Sequence, residues 1–344
     1  MLDDTKRLKL KNGFDANLVY GSRKFIFDTS RDKIIKKSVA QAHNVVIKLP
    51  KGVYLRQEKH FVKQTKCPLC NGKKFKFLLE RMGISISYCS ECDFGFQNPK
   101  LKKQTLDSLY KYDRIAYNKY SSKAQLLIDL KRYDYGLELL DAIKVSSKNL
   151  LLDIGCGNGL SLERAVKKGW KNCLGIDPNR KYQILTDNRI KIIHASFENA
   201  FEQIKEKADA IMLWDMLEHI YEPKIFLPKL KNVMNDKALL LIMVPNLKSL
   251  ATRLIREKSP TFSWEHLSYF TARSLKTLLE SSGFSIELME TVISEIGNIN
   301  NYLSLAEPYF GENEKTITLD FLTPAYIHKH MLGSRIFVIA RKKA

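Results

Sequence analysis

Leu150-Leu151-Leu152-Asp153-Ile154, followed at once by Gly155-Cys156-Gly157-Asn158-Gly159, decides the fold of this 344-residue chain. The first five residues form a short, mostly apolar run that ends in a turn signal. That is the pattern of a strand buried on both faces. Three glycines among the next five residues let the chain turn tightly and lay bare backbone against a ligand. Leu160 to Lys168 reads as the helix that follows. Cys173-Leu174-Gly175-Ile176-Asp177 is a second strand ending in an acid. An acid at that place can accept both ribose hydroxyls of a bound nucleoside.

Working outward, Ile190 to His194, Ala210 to Leu213 and Leu239 to Val244 continue the alternation of strand and helix. Apolar strands alternating with helices imply a parallel sheet covered on both faces. Ser285 to Leu288 and Ile336 to Ala340 add two terminal strands. The expected fold class is α/β, a Rossmann-like, doubly wound, seven-stranded sheet. Residues 298–330 are an insertion without an assignment. Upstream, Ser121-Ser122 can cap a helix running to about Ile143, with Leu126, Leu127, Leu130, Tyr133, Leu137, Leu140 and Ile143 at helical spacing. Phe25 to Phe27, Val45 to Ile47 and Val53 to Leu55 look like short strands. The expected divisions are a basic extension (1–66), a zinc ribbon (67–100), a helical linker or lid (101–148) and the nucleotide-type domain (149–344).

The ribbon rests on Cys67-Pro68-Leu69-Cys70 and Cys89-Ser90-Glu91-Cys92, two C-x-x-C pairs at zinc-ribbon spacing. Each pair forms a knuckle presenting two thiolates, and a hairpin joins the knuckles into a closed tetrahedral Zn2+ site. Lys73 to Glu80 and Gly83 to Tyr88 read as the two strands of that hairpin. A closed four-sulfur site leaves no open position for catalysis. In a reducing cytosol, disulfide pairing is the weaker alternative. Cys156 and Cys173 read as packing residues.

The composition is that of a folded soluble protein, with 44% hydrophobic and 27% charged residues. Phe, Tyr and Trp number 17, 15 and 3, enough for a sizeable core, so wholesale disorder is excluded. The longest dense apolar run, Ala238 to Val244, is far shorter than the roughly 20 residues of a membrane helix. Asp3 and Asp4 stand where a secretory signal would be basic, so a cytoplasmic location is expected. The net charge is +20, with 31 basic and 15 acidic side chains in residues 1–149 against 26 and 22 in the remainder. Such a field draws anionic partners, although a solvated Lys-rich surface looks the same in sequence.

The glycine turn reads G-x-G-x-G with an acid before it, not the G-x-G-x-x-G of dinucleotide folds. Asp153 crowded against the turn suits a cationic ligand, and S-adenosylmethionine carries a sulfonium and an ammonium. Here the chain resembles the class I S-adenosylmethionine-dependent methyltransferases, through Leu151 to Gly159, Gly175-Ile176-Asp177, Trp214-Asp215-Met216-Leu217-Glu218-His219-Ile220 and Val244-Pro245-Asn246. Cys67 to Cys70, Tyr88 to Pro99 and Glu265-His266-Leu267-Ser268-Tyr269-Phe270-Thr271 are similar to the subgroup with an N-terminal zinc ribbon. The resemblance spans about residues 67–290 and the last strand. Members of this type often modify sugars, lipid-linked intermediates or quinone precursors.

The resemblance implies roles. Asp153, Gly155 and Gly157 would line the methionine end of the cofactor, and Asp177 would hold the ribose. Ser196 stands where the family often has an acid facing the adenine amine, and Phe197 could stack there. Trp214 and Asp215 should face the methyl group and the acceptor. His219 and His266 are the acid/base residues to expect, since histidine titrates near neutrality. Asp215, Glu218 and His219 could share one helix face and hold a divalent metal, as in some quinone O-methyltransferases; capping of a helix start is the plainer alternative. Tyr110, Tyr112, Tyr117 and Tyr120 could form an acceptor lid or simply pack. The Asp/Asn-Pro-Pro-Tyr turn of nucleobase amino-methylating enzymes is absent. The leading reading is therefore methyl transfer to an oxygen or carbon of a small, anionic or glycan acceptor. The alternatives are an RNA methyltransferase tethered by the basic N-terminal part and ribbon, and a non-catalytic S-adenosylmethionine-binding protein.

Overall fold

The computed structural model describes residues 46–48, 54–112, 123–178, 187–305 and 319–343. In chain order the strands are β1 Val46–Lys48, β2 Tyr54–Arg56, β3 Phe61–Val62, β4 Phe75–Arg81, β5 Ile84–Cys89, β6 Phe94–Gln97, β7 Lys100–Leu101, β8 Leu150–Ile154, β9 Asn172–Ile176, β10 Ile190–Ile193, β11 Ala208–Trp214, β12 Met234–Pro245, β13 Ser268–Tyr269, β14 Phe284–Val292 and β15 Arg335–Lys342. The helices are α1 Lys103–Tyr112, α2 Lys123–Ala142, α3 Leu160–Lys167, α4 Phe197–Ala200, α5 Pro223–Leu230, α6 Leu250–Ile255, α7 Ala272–Ser281, α8 Ile296–Leu305 and α9 Pro324–Lys329.

A seven-stranded sheet runs β10-β9-β8-β11-β12-β15-β14. β10 through β12 are parallel, and β15 is antiparallel to both its neighbours. From β8 the chain winds first one way, to β9 and β10, and then the other, to β11 and β12. The crevice outside the carboxyl ends of β8 and β11 is therefore the topological switch point, where such sheets bind ligands.

The one-residue alternation of a strand divides the core in two. Leu150, Leu152, Ile154, Ile211 and Leu213 face one cluster, shared with α5 and α7. Leu151, Ala210, Met212 and Trp214 face the other, shared with α2 and α3. Each such side chain taken fully from water contributes about 1.5–3 kcal/mol, which is why β8 and β11 are apolar almost throughout. Asp209 is the polar exception in β11. Its Oδ2 accepts from the backbone of Asn149 at 2.9 Å and from Ser147 Oγ at 2.6 Å, tying the strand starts together. On α2, Tyr133, Leu137 and Leu140 are buried as the helical spacing predicts. Leu126 and Leu127 are not; they are 41% and 51% exposed.

The cysteine-bearing unit forms the second sheet, β13-β6-β5-β4. Its edge strand β13 comes from a segment about 170 residues later, pairing Ser268 with Phe96 and Tyr269 with Gly95. Phe94, Phe96 and three of the cysteines belong to the same core cluster as β8 and α7. The expected strands near 45–47 and 53–55 appear as the antiparallel pair β1 and β2. The expected strand at 25–27, Tyr117 and Tyr120 lie outside the described residues. The insertion at 298–330 does so in part; α8 and α9 are its described pieces. Among the described residues no helix is long and apolar enough to cross a membrane.

Candidate active site

The glycine turn is built as its composition demands. Gly155, Gly157 and Gly159 have φ of 81°, 53° and 77°, where side chains are disfavoured. The amides of Gly155 and Cys156 donate to the Ile176 carbonyl at 2.7 and 3.4 Å, fastening the turn to the end of β9. Gly157 N–H donates to Asp177 Oδ2 at 3.0 Å, so the structure brings the second-strand acid to the turn. A Cβ built on Gly157 would meet nothing within 4 Å. That open space beside a carboxylate is a cradle a side chain would fill.

Asp153 is 1% exposed. Ser161 Oγ donates to its Oδ2, while Oδ1 is buried with no partner among the described residues. Burial, reinforced by the nearby Asp177 charge, pushes its pKa up to about 7. An orphaned carboxylate oxygen in a low-dielectric site calls for a donor or a cation. The donor set thus fits the methionine and ribose ends of S-adenosylmethionine. Cys156 packs against Gly175, where an added Cβ would lie 2.5 Å from its Sγ.

Two of the expected contacts are corrected. Phe197 does not present its ring for stacking. It is 4% exposed and packs edge-on against Phe201 and Phe226, at 5.7 and 5.0 Å between centroids. Ser196 precedes α4 and makes no side-chain capping bond. Trp214 does not face the acceptor side. Strand alternation turns its ring under α2, against Tyr133 at 5.2 Å and Phe337 at 6.0 Å.

Asp215 is placed differently from its neighbours. Its φ of 47° breaks any helical continuation, and Leu217–His219 is a 3-10 turn. Its Oδ2 accepts from Arg132 Nη1 and its Oδ1 from Arg335 Nε, both at 2.8 Å. Burial acts to raise its pKa; Arg335 and then Arg132 outweigh that and hold the carboxyl below the usual carboxylate range. Both oxygens of Asp215 are thus taken by arginines. The shared face of Asp215, Glu218 and His219 is therefore not what forms.

What forms instead is a cluster of Glu218, His219 and His266, whose ligating atoms lie within 4.8 Å of one another. The two imidazoles meet edge to face with centroids 4.7 Å apart. Thr261 O lies 2.7 Å from His266 Nδ1, which donates to it and leaves Nε2 as the basic nitrogen. Burial pushes His219 down to about 4 and His266 down to about 3, the latter aided by His219. Burial, then the Asp215 charge, pushes Glu218 well up, and both its carboxylate oxygens are buried without a hydrogen bond. Both rings are therefore neutral near pH 7, and Glu218 holds a proton more readily than an ordinary carboxylate. The cluster follows the carboxyl end of β11, the strand beside β8, and a Cβ on Gly155 would come within 2.9 Å of Met216, two residues before Glu218.

The four ribbon cysteines converge as their spacing implies. Cys67 and Cys92 sulfurs are 3.6 Å apart, and those of Cys70 and Cys89 are 3.7 Å apart. A tetrahedral Zn2+ with bonds of about 2.3 Å needs sulfurs about 3.8 Å apart. All six cysteines are free thiols. The donor set fits a structural metal.

Residues 130–288 match the family model described as a methyltransferase domain. This segment is similar to that family. It contains the glycine turn, Asp177 and the histidine cluster, and the match ends within β14. The mitochondrial ubiquinone biosynthesis O-methyltransferase of Homo sapiens is 28% identical over 167 residues, 43% of this chain and 44% of that protein. The tRNA U34 carboxymethyltransferase of Aliivibrio fischeri is 24% identical over 225 residues, 59% of this chain and 64% of that one. The chain thus spans about half the length of the curated relatives it matches. A solved SAM-dependent methyltransferase from Archaeoglobus fulgidus is 21% identical, covering 61% of this chain and 94% of that one at a TM-score of 0.40.

Reading the sequence alone misses two residues of the candidate site. Arg132 and Arg335 lack any local signal; only the fold brings them to Asp215. Glu218 is expected from the sequence only as a metal ligand sharing a face with Asp215 and His219, and the fold brings it to His219 and His266.

Proposed function

We propose that the chain is an S-adenosylmethionine-dependent methyltransferase acting on an oxygen or carbon of a small hydroxylated acceptor, such as a sugar, nucleotide-sugar or lipid-linked intermediate. The observation that carries the reading is the His266 and His219 pair beside Glu218, at the same carboxyl edge of the sheet as the glycine turn that Asp177 closes. The turn and Asp177 would hold the nucleoside, and Asp153 would face the cationic end. Bound there, S-adenosylmethionine supplies an activated methyl group. His266 Nε2 takes the acceptor's proton while Nδ1–H holds to Thr261, and Glu218, with its raised proton affinity, is the onward acceptor. Positioning supplies much of the rate, with effective molarities of about 10^5–10^8 M for well-oriented pairs. Zn2+ on Cys67, Cys70, Cys89 and Cys92 is structural in this reading.

A second reading places a divalent cation on Glu218, His219 and His266. It is favoured by two neutral imidazoles and a carboxylate whose oxygens have no other partner. The name of the human relative supports an oxygen acceptor; that of the Aliivibrio relative, with the basic N-terminal half, supports RNA. Incubation with methyl-labelled S-adenosylmethionine and a cell extract separates these. Label is expected in the nucleotide-sugar, glycan-lipid or other small-molecule pool. Label confined to RNA, or none anywhere, overturns the proposal.

Asp153 imposes a pH dependence. Its folded value of about 7 lies above its ordinary 3.8, so its contribution to ligand-free stability is full at acid pH and lost as pH rises through about 7. Attraction of a cationic ligand has the opposite sign, because only the ionised form provides it. Titration calorimetry should show S-adenosylmethionine affinity rising up to about tenfold per pH unit towards pH 7, with Asp153→Asn flat over the same range.

A further inference from the structure

The loop carrying His266 is held in part by the cysteine-bearing unit. Arg81 Nη1, at the tip of the β4–β5 hairpin, donates to the carbonyls of Ser259 and Phe262 at 2.5 and 2.8 Å. Gln97, the last residue of β6, is fully buried. Its Nε2 donates to the carbonyls of Trp264 and His266 at 2.8 and 3.1 Å, and its own amide donates to the Leu267 carbonyl at 3.2 Å. Its Oε1 accepts from Leu101 N–H at 3.5 Å. The carboxamide N–H groups are thus spent on two carbonyls of the His266 loop, those of Trp264 and His266 itself.

Three residues on, Lys100 reaches the other imidazole's segment. It is 8% exposed, and its Nζ donates to the Tyr221 carbonyl at 2.5 Å while lying 3.5 Å over that residue's ring. Tyr221 is two residues after His219. The 3-10 turn and the His266 loop are also joined directly, by Leu267 N–H to Glu218 O at 2.9 Å and by His219's bond to the Glu265 backbone. One short segment, Gln97 to Lys100, therefore grips both partners of the histidine pair from outside the segment that matches the family.

We infer that Gln97 and Lys100 are positioning residues that set the geometry of His266 and His219, so that the cysteine-bearing unit is an integral part of the acceptor site. A buried carboxamide is costly unless its valences are met. Gln97 meets them only with the His266 loop in this place, which locks the loop's position to the end of β6. The inference rests on reading the two imidazoles as the acceptor-side pair.

The test is nitrogen NMR of the full chain labelled in its histidine rings, with His266→Gln and His219→Gln providing the assignments. Wild type should show His266 as the neutral form protonated at Nδ1. Gln97→Met keeps the volume and removes every side-chain hydrogen bond; it should shift His266 towards a mixture of tautomers. S-adenosylmethionine affinity should stay within about twofold, as for sites without shared partners. Lys100→Met should move His219 in the same way. Unmoved ring signals in the folded variants overturn the inference. Should Gln97→Met and Lys100→Met fail to fold, hydrogen exchange of the wild type decides. Leu267 and Gln97 amides exchanging together support the inference, and a faster-opening Leu267 overturns it. If His266→Gln leaves methyl transfer intact while Gln97→Met still moves the ring, the functional reading fails and the positioning stands.

Discussion

Asp177→Ala should lower S-adenosylmethionine affinity by a hundredfold or more. The carboxylate does two things at the switch point. It accepts from Gly157 N–H at 3.0 Å, holding the turn against β9, and it stands where ribose hydroxyls would donate. Hydrogen bonds to a charged group are worth about 1.5–3 kcal/mol each, and about 3 kcal/mol is more than a hundredfold in affinity. Alanine removes the acceptor and unties the turn. Asparagine keeps one acceptor oxygen and should lose less. Gly157→Ala is the complementary variant. The fold has room for its methyl group, and the left-handed φ costs only about 1–2 kcal/mol, but the methyl group enters the space a ligand would fill. Calorimetry on the three variants, with melting curves beside it, separates loss of ligand from loss of fold. An Asp177→Ala protein that binds within twofold of wild type would place the cofactor elsewhere and remove the enzyme reading.

His266→Gln should lower kcat by about 10^2–10^4, the range of a positioned general base, with S-adenosylmethionine binding unchanged. The side chain lies in the acceptor cluster, and glutamine can keep the bond to the Thr261 carbonyl without supplying a basic nitrogen. Glu218→Gln should fall in the same direction, since it removes the onward proton acceptor. The pH profile carries a second signature. His219 and His266 are pushed down to about 4 and 3 by burial, so kcat should show no acid limb near 6.5. The same shifts bear on stability. Between those folded values and the ordinary 6.5 the unfolded chain binds more protons, so the rings' contribution is full above about 6.5 and is lost as pH falls through that range. His266→Gln should flatten this acid loss in a melting series. A variant with full turnover would shift the base to Glu218 or to a bound metal.

The agreement between sequence and structure is greatest where the signal is periodic. Every strand of the central sheet lies within a few residues of its apolar run, and Leu150 to Ile154 coincides with it. Asp177 reaches the turn because a parallel neighbour of β8 must end beside it. The differences arise where a side chain's direction is set by one dihedral angle or by a distant partner. Trp214 and Asp215 are adjacent in a motif, yet alternation sends the first into the core, and a positive φ sends the second to two arginines. Phe197 reads as a stacking ring until α5 brings Phe226 against it.

From the chain alone followed a wound α/β sheet, a nucleoside-type turn closed by Asp177, and four thiols at metal spacing. Each of these is written in residues close together in the chain, where apolar period, glycine freedom and ligand spacing act locally. The histidine pair with Glu218, the clamp on Asp215 and the grip of Gln97 on the His266 loop were decided only by the tertiary structure. Those contacts join residues as far as about 170 positions apart, and a buried polar group takes whichever partner the packed fold brings within hydrogen-bonding reach.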